Sequence, residues 1–304
     1  MSILVVGALH HDVIVETPAL PRVDETLPGD SVRYAFGGKG GNQAVQAGRL
    51  GRHFGLEVAM AGCVGRDAPG NLMLEALSDA AVDHTQIHRV DAPTGMSVAL
   101  SLPDGGYGAV IVSSANLQLD PQLVQVPPST RWLVLQNEIA DHVNSAVAQK
   151  AKDVGAKVLL NAAPARSVSD LLLNLVDLLV VNRVEAADML SLESDALQCA
   201  TAGEAMRIKF GCDVIITLGG EGWLMTTADG TVQHAAHKVE VTSTHGAGDA
   251  FIGALAVKLA GGAVLADAAQ FASAAAALHV STATELREQI SLEAIEALAQ
   301  TSSL

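Results

Sequence analysis

Trp132-Leu133-Val134-Leu135, Val158-Leu159-Leu160, Leu178-Leu179-Val180-Val181 and Val214-Ile215-Ile216-Thr217 are short apolar runs spread through residues 130–217. Each is compact and apolar throughout, the pattern of a strand buried on both faces rather than one with a wet side. Between them, residues near 141–153, 185–191 and 202–210 have helical spacing. This alternation predicts βαβ units, a parallel sheet and right-handed crossovers. Ile3-Leu4-Val5-Val6-Gly7 reads as another buried strand, ending at a turn.

Outward from this block, Gly41 to Leu50 and Gly70 to Ala81 read as helices and Val58 to Cys63 as a strand. Gly222–Thr226 and Val232–Ala235 are hairpin-like, and helices dominate thereafter, with the Ala-rich run Ala272 to Ala277 biased toward helix. Residues 12–35 and 94–113 differ. Val13-Ile14-Val15 and Met96-Ser97-Val98-Ala99-Leu100 alternate and are separated by Pro, Gly and Asp, which favours short antiparallel strands. They read as a small β lid inserted in one larger α/β domain. Exposed apolar residues on such strands need covering, which predicts a homodimer through 12–35 and 94–113.

The chain has 304 residues, of which 49% are hydrophobic, enough for a sizeable core. A formal net charge of -15 argues against nonspecific nucleic-acid or anionic-membrane binding. It leaves room for a phosphorylated ligand, because a nest of backbone amides binds an anion even in an acidic protein. Cys63, Cys199 and Cys212 are far apart without CxxC spacing, which points to a reducing compartment and to neither disulfides nor a zinc site. The N-terminus lacks a basic n-region, and no apolar stretch has spanning length, so the expectation is a cytoplasmic protein.

Ser243-Thr244-His245-Gly246-Ala247-Gly248-Asp249 lies immediately before an apolar helical stretch. Glycines at a helix N-terminus let backbone N–H groups approach an anion, and the helix dipole favours a phosphate there. Asp249 then has two readings: a base that takes a proton from an attacking hydroxyl, or a first-turn acid that complements the dipole.

Gly37-Gly38-Lys39-Gly40-Gly41-Asn42-Gln43-Ala44 is a glycine-rich entry to a helix, with Lys39 and Asn42 as donors. It lacks the spacing of a Walker A loop, and taken alone it also fits an ordinary loop-to-helix junction. Asn182 and Glu185 follow a buried strand, at the edge where open α/β sheets bind ligands. They suit either water-bound magnesium or a helix-capping pair, and the capping reading is the stronger in isolation. Asn161 to Pro164 and Thr217-Leu218-Gly219-Gly220 share the strand-end location. Adjacent His10 and His11 point apart on a strand and do not make a metal pair. Neither a GxGxxG fingerprint nor a GxSxG elbow is present.

Together and in this order, the motifs resemble the ribokinase-like (PfkB) carbohydrate kinase family from Val5 to about Val280. Gly37 to Ala44 is similar to its N-terminal signature, and Ser243 to Asp249 to its C-terminal signature. The resemblance implies a three-layer α/β/α sandwich with a mostly parallel central sheet and a β lid that closes over the sugar. It implies that Asp249 is the general base and that the amides of Gly246, Ala247 and Gly248 form an anion hole. Asp12, Gly38, Lys39, Asn42 and Glu138 fall where such kinases contact the sugar. Asn182, Thr217, Gly219, Gly248 and Ser273, the last within the Ala272 to His279 stretch, fall where they place ATP, and Asn182 and Glu185 would organise magnesium (Mg2+) through water.

The expected reaction is ATP-dependent phosphorylation of ribose or a related pentose. A nucleoside, fructose-type or keto-deoxy sugar acid is the alternative substrate, and a non-catalytic sugar or nucleotide sensor the alternative class. His10 stands where such kinases of ribose usually carry an Asn that reads the sugar. Ser243 stands where many members carry an Asp associated with a monovalent-cation site, which leaves potassium (K+) open. Ser281 to Glu288 lacks the Gly-Ala that usually follows the Ala-rich helix.

Overall fold

The computed structural model describes residues 2–103, 106–194 and 197–301. Its strands are β1 (Ile3–Val6), β2 (His10–Glu16), β3 (Ser31–Gly37), β4 (Val58–Gly65), β5 (Val82–Val90), β6 (Gly95–Ser101), β7 (Tyr107–Val112), β8 (Trp132–Gln136), β9 (Lys157–Asn161), β10 (Leu178–Asn182), β11 (Asp213–Thr217), β12 (Trp223–Thr227) and β13 (Gly230–His234). Its α-helices are α1 (Lys39–Gly51), α2 (Ala68–Asp79), α3 (Asp141–Asp153), α4 (Asp170–Leu173), α5 (Arg183–Leu190), α6 (Cys199–Phe210), α7 (Ala247–Ala260), α8 (Leu265–Ser281) and α9 (Leu292–Thr301).

Among the described residues a 9-stranded sheet runs β13-β12-β11-β10-β9-β8-β1-β4-β5. The pairs from β5 to β11 are parallel, and β12 and β13 add an antiparallel edge. Period-two alternation sends successive residues to opposite faces. Ile3 and Val5 enter the core beside α1, α7 and α8, while Leu4 and Val6 enter a second core beside α3, α5 and α6. Two apolar faces on one sheet require two helical layers, which gives the three-layer sandwich. No helix among the described residues is long and apolar enough to cross a membrane.

A second sheet of 4 strands runs β3-β2-β6-β7. β2 pairs antiparallel with β3 and parallel with β6, and β6 pairs antiparallel with β7, so this sheet is mixed. It occupies the segments expected to form the lid, of which residues 104 and 105 lie outside the described residues. β5 was not foreseen. As the edge strand beside β4 it is only partly buried along most of its length, and its Val-Asp-His-Thr-Gln-Ile-His-Arg-Val sequence carries no apolar run.

The chain leaves β1 for β4 on one side and returns through β8 on the other, so the strand order reverses at β1. A crevice opens at the carboxyl ends of the strands at such a point, which is where open α/β sheets bind ligands.

Candidate active site

That crevice is a cavity of about 980 Å³. The large sheet supplies Asn161, Asn182 and Thr217 from the ends of β9, β10 and β11, with Glu138 just beyond β8. The small sheet supplies Asp12 and Ile14 of β2, Arg33 of β3, Ser97 and Ala99 of β6, and Ile111 of β7. Their registers place them on one face of that sheet: Asp12 opposes Ser97, Ile14 opposes both Arg33 and Ala99, and Ser97 opposes Ile111. Gly38, Lys39 and Asn42 enter from the start of α1, and residues 243–249 close the remaining side.

The structure therefore gathers Asp12, Gly38, Lys39, Asn42, Glu138, Asn182, Glu185, Thr217, Gly219, Gly246, Ala247, Gly248 and Asp249 around one cavity. Ser273 is the exception, being partly buried on α8 and not among the lining residues.

Asp249 sits in the first turn of α7 and is 7% exposed. Its Oδ2 accepts from Asn42 Nδ2 at 3.1 Å and its Oδ1 from Gln43 Nε2 at 2.9 Å. Gln43 also donates to Asn161 Oδ1 at 3.0 Å and accepts from Gln136 Nε2 at 2.8 Å. Both amide hydrogens and the carbonyl of Gln43 are thus committed. Flipping the amide would set its oxygen against two acceptors, so the carboxylate is held in one orientation. Close approach of α7 to α1 makes these bonds reachable. A Cβ on Gly253, one turn past Asp249, would lie 2.7 Å from Gln46 Cβ and 2.8 Å from the Gln43 carbonyl oxygen.

Gly246 caps α7 with φ 79 and no side-chain cap, so no side chain covers the first-turn amides, of which that of Ala247 donates to the Thr244 carbonyl at 3.2 Å. A Cβ built on Gly248 would meet nothing within 4 Å, so open space adjoins the backbone there. The loop is fastened from behind. His279 Nε2 lies 3.0 Å from the His245 carbonyl, and because a carbonyl only accepts, that nitrogen carries the proton. Burial, helped by the Arg287 charge, lowers the His279 pKa to about 4, so the ring is neutral.

At the opposite end, Glu138 Oε2 accepts from the Lys39 backbone N–H at 2.7 Å and lies 4.0 Å from His10 Nδ1. Burial pushes the Glu138 carboxyl up to about 7, against the pull of the Lys39 amide and ammonium. Burial also raises the Asp12 carboxyl, opposed mainly by its Ser97 hydrogen bond. His10 is 2% exposed, is lowered by burial to about 4, and has no partner for Nε2. Asn182 and Glu185 form a capping box on α5: Asn182 Oδ1 accepts from the Glu185 N–H at 2.9 Å, and Glu185 Oε2 from the Asn182 N–H at 2.7 Å. Both still line the cavity, so capping and site-lining coexist.

Gln43, Gln136 and Arg287 were not picked out from the sequence as site-supporting residues. Gln43 and Asp249 are 206 positions apart, and only the packing of α1 on α7 joins them.

An amide cradle at a helix N-terminus, a buried carboxylate beside it, and a polar pocket beyond are the parts of a phosphotransferase with an alcohol acceptor. The pfkB family carbohydrate kinase model matches residues 1–285. The chain is 32% identical over 286 residues to a ribokinase of Haemophilus influenzae, covering 92% of each. It superposes on a ribokinase from Thermotoga maritima with TM-score 0.88 at 27% identity, covering 99% of both chains. A structure of Arabidopsis thaliana ribokinase complexed with ribose and ATP gives TM-score 0.88 at 28% identity, covering 98% of both chains. The chain belongs to the pfkB family of carbohydrate kinases and is an ATP-dependent carbohydrate kinase.

Proposed function

We propose that this chain transfers the γ-phosphoryl group of ATP to a hydroxyl of ribose or a related pentose. The observation that carries the reading is the Asp249 carboxylate, held by two side-chain amides at the N-terminus of α7 and facing the same cavity as the sugar-end polar groups. Asp249 takes the proton from the attacking hydroxyl. The amides of Gly246, Ala247 and Gly248 stabilise the charge that spreads over the transferring group, where Gly248 leaves open space. Asp12, Gly38, Lys39, Asn42 and Glu138 hold the sugar, and Asn182, Thr217 and Gly219 line the nucleotide side. The small sheet acts as a lid that excludes water from the transferring group.

Magnesium suits the nucleotide side. Among the described residues no group of three or more His, Cys, Asp or Glu side chains could cage a metal ion. Magnesium keeps several waters and takes few protein ligands, so the sparse pair Asn182 and Glu185 fits it through water. When bound, it neutralises phosphate charge.

The second reading, a nucleoside, fructose-type or keto-deoxy sugar acid as acceptor, draws on His10. Its neutral imidazole, whose Nε2 has no partner, offers a different donor–acceptor pattern from an amide. ADP release against a panel of pentoses, nucleosides, fructose-type sugars and sugar acids separates the two readings. In the same assay Asp249→Asn abolishes turnover, by about a thousandfold or more, while ATP binding persists. Near-normal phosphorylation by that variant would refute the base assignment. Magnesium titration of Glu185→Gln should need more metal for half-maximal rate, and an unchanged requirement would remove Glu185 from that role.

A further inference from the structure

Behind the anion cradle, backbone carbonyl oxygens from two separate segments converge on one side chain. Arg287 donates from Nη1 to the His245 carbonyl at 3.1 Å, from Nη2 to the Ser243 carbonyl at 3.2 Å, and from Nε to the Thr282 carbonyl at 3.3 Å. All three guanidinium nitrogens are engaged. The carbonyls come from the loop that carries the cradle and from the residue that ends α8. The C-terminus of α8 adds the negative end of its dipole. Ser243 and Thr242 N–H groups bond the Val280 carbonyl at 3.2 and 2.8 Å, which ties the loop to that helix end.

A concentration of carbonyl oxygens and a helix C-terminus makes a negative potential directly behind amides that must hold a phosphate. It requires a positive charge. The neutral His279 ring does not provide one, and Ser243 brings a hydroxyl rather than a carboxylate that would attract a free metal ion. The fixed guanidinium already engages the Ser243, His245 and Thr282 carbonyl oxygens and brings the positive charge with it, so this donor set does not fit a potassium ion.

We propose that Arg287 is a built-in cation that orders the 243–246 loop and makes the enzyme independent of potassium. It is a positioning residue, acting on the phosphoryl group only through the loop it holds. The activity arm of the test rests on the phosphotransfer reading above, but the melting arm does not, so failure of one is distinguishable from failure of the other.

Wild-type protein is melted and assayed in chloride salts of potassium, sodium and tetramethylammonium at equal ionic strength. The melting temperature and kcat are expected to be the same in all three. Arg287→Ala is then expected to lose about tenfold to a hundredfold in kcat, with little change in KM for the sugar. Tens of millimolar guanidinium chloride should restore much of the loss, and Arg287→Lys should keep an intermediate rate. Wild type stabilised or activated by potassium over tetramethylammonium would overturn the proposal. So would an Arg287→Ala variant at full rate, or one whose loss neither guanidinium nor potassium repairs. Should Arg287→Ala fail to fold, the wild-type salt series decides alone.

Discussion

The two walls of the cavity are built on different terms. The wall formed by the large sheet, α1 and α7 is buried and cross-linked: Gln43 and Gln136 are both 0% exposed, and their amides run from β8 to the Asp249 carboxylate. The wall formed by the small sheet is one layer thick. Its inner face meets the cavity, and its outer face leaves Tyr34 65% and Val110 66% exposed. Groups that must be placed to a fraction of an ångström sit on the first wall, where rotamers are locked by packing and by committed hydrogen bonds. The second wall contributes shape and a few polar contacts, and α-helices reach it chiefly at its β2–β3 side, through α1 and α2.

Perturbing the first wall should cost the most. Gly248→Val places methyl groups in the open space before the cradle without a clash, since nothing lies within 4 Å of its Cβ position. The expected loss in kcat/KM for ATP is on the order of a hundredfold or more, with the melting temperature nearly unchanged. Retained turnover would place the phosphoryl group elsewhere and erase the contrast between the walls.

Glu138 lies at the seam, and its effect should be smaller and dependent on pH. Its carboxyl is raised by burial from 4.5 to about 7 in the folded protein. A raised carboxyl favours the protonated folded state, so its contribution to stability is intact below about pH 4.5 and fades as pH rises through about 7. Glu138→Gln removes that loss. Relative to wild type, the variant should therefore gain stability progressively between about pH 4.5 and about pH 7 and level off above, by an amount on the order of 3 kcal/mol. The same variant should raise KM for the sugar more than it lowers kcat. A melting difference that stays constant across that pH range would mean that the carboxyl is already ionised in the acidic range.

The difference between the walls also explains what the sequence revealed. Buried parallel strands such as Leu178–Asn182 announce themselves because both faces are apolar, and the glycine-rich turns at 37–41 and 246–248 are visible because the backbone needs them. Its own stretch of sequence lets Asp249 read either as a base or as a dipole partner, and the grip of Asn42 and Gln43 that orients its carboxylate is visible only in the fold. Gln43 lies inside the signature-like Gly37–Ala44 stretch, yet neither it nor Gln136 shows its supporting role there, since an amide inside a helix or at a strand end reads as ordinary polarity until its partners are in place. β5 was hidden because an edge strand needs only part of its surface to be apolar. The family resemblance puts Ser273, within Ala272 to His279, at the nucleotide side, and the turn of α8 that carries it is not among the residues lining the cavity.

The smallest effect on turnover is expected at the outer face of the small sheet. Tyr34, Val13, Val98 and Val110 form one row across all four strands, paired Tyr34 to Val13, Val13 to Val98 and Val98 to Val110. Phe36, His11, Met96 and Val112 form the next row by the same registers, and His11 stacks on Tyr34 at 5.3 Å. His11 is buried and Phe36 packs on the core, so the exposed part of this face is Tyr34, Val98, Val110 and Val112, an apolar patch that a second copy would cover self-complementarily. We propose that this patch forms a homodimer through residues 12–35 and 94–113. Val110→Lys would bury a charge at that contact while leaving the inner face untouched, since Val110 points away from the cavity-lining Ala109 and Ile111. Sedimentation should give a dimer for wild type and a monomer for the variant, with kcat reduced about tenfold at most because the wall that carries Asp249 is unaltered. A wild-type monomer at micromolar concentration would leave this face to other partners and make the second wall a lid that works unsupported.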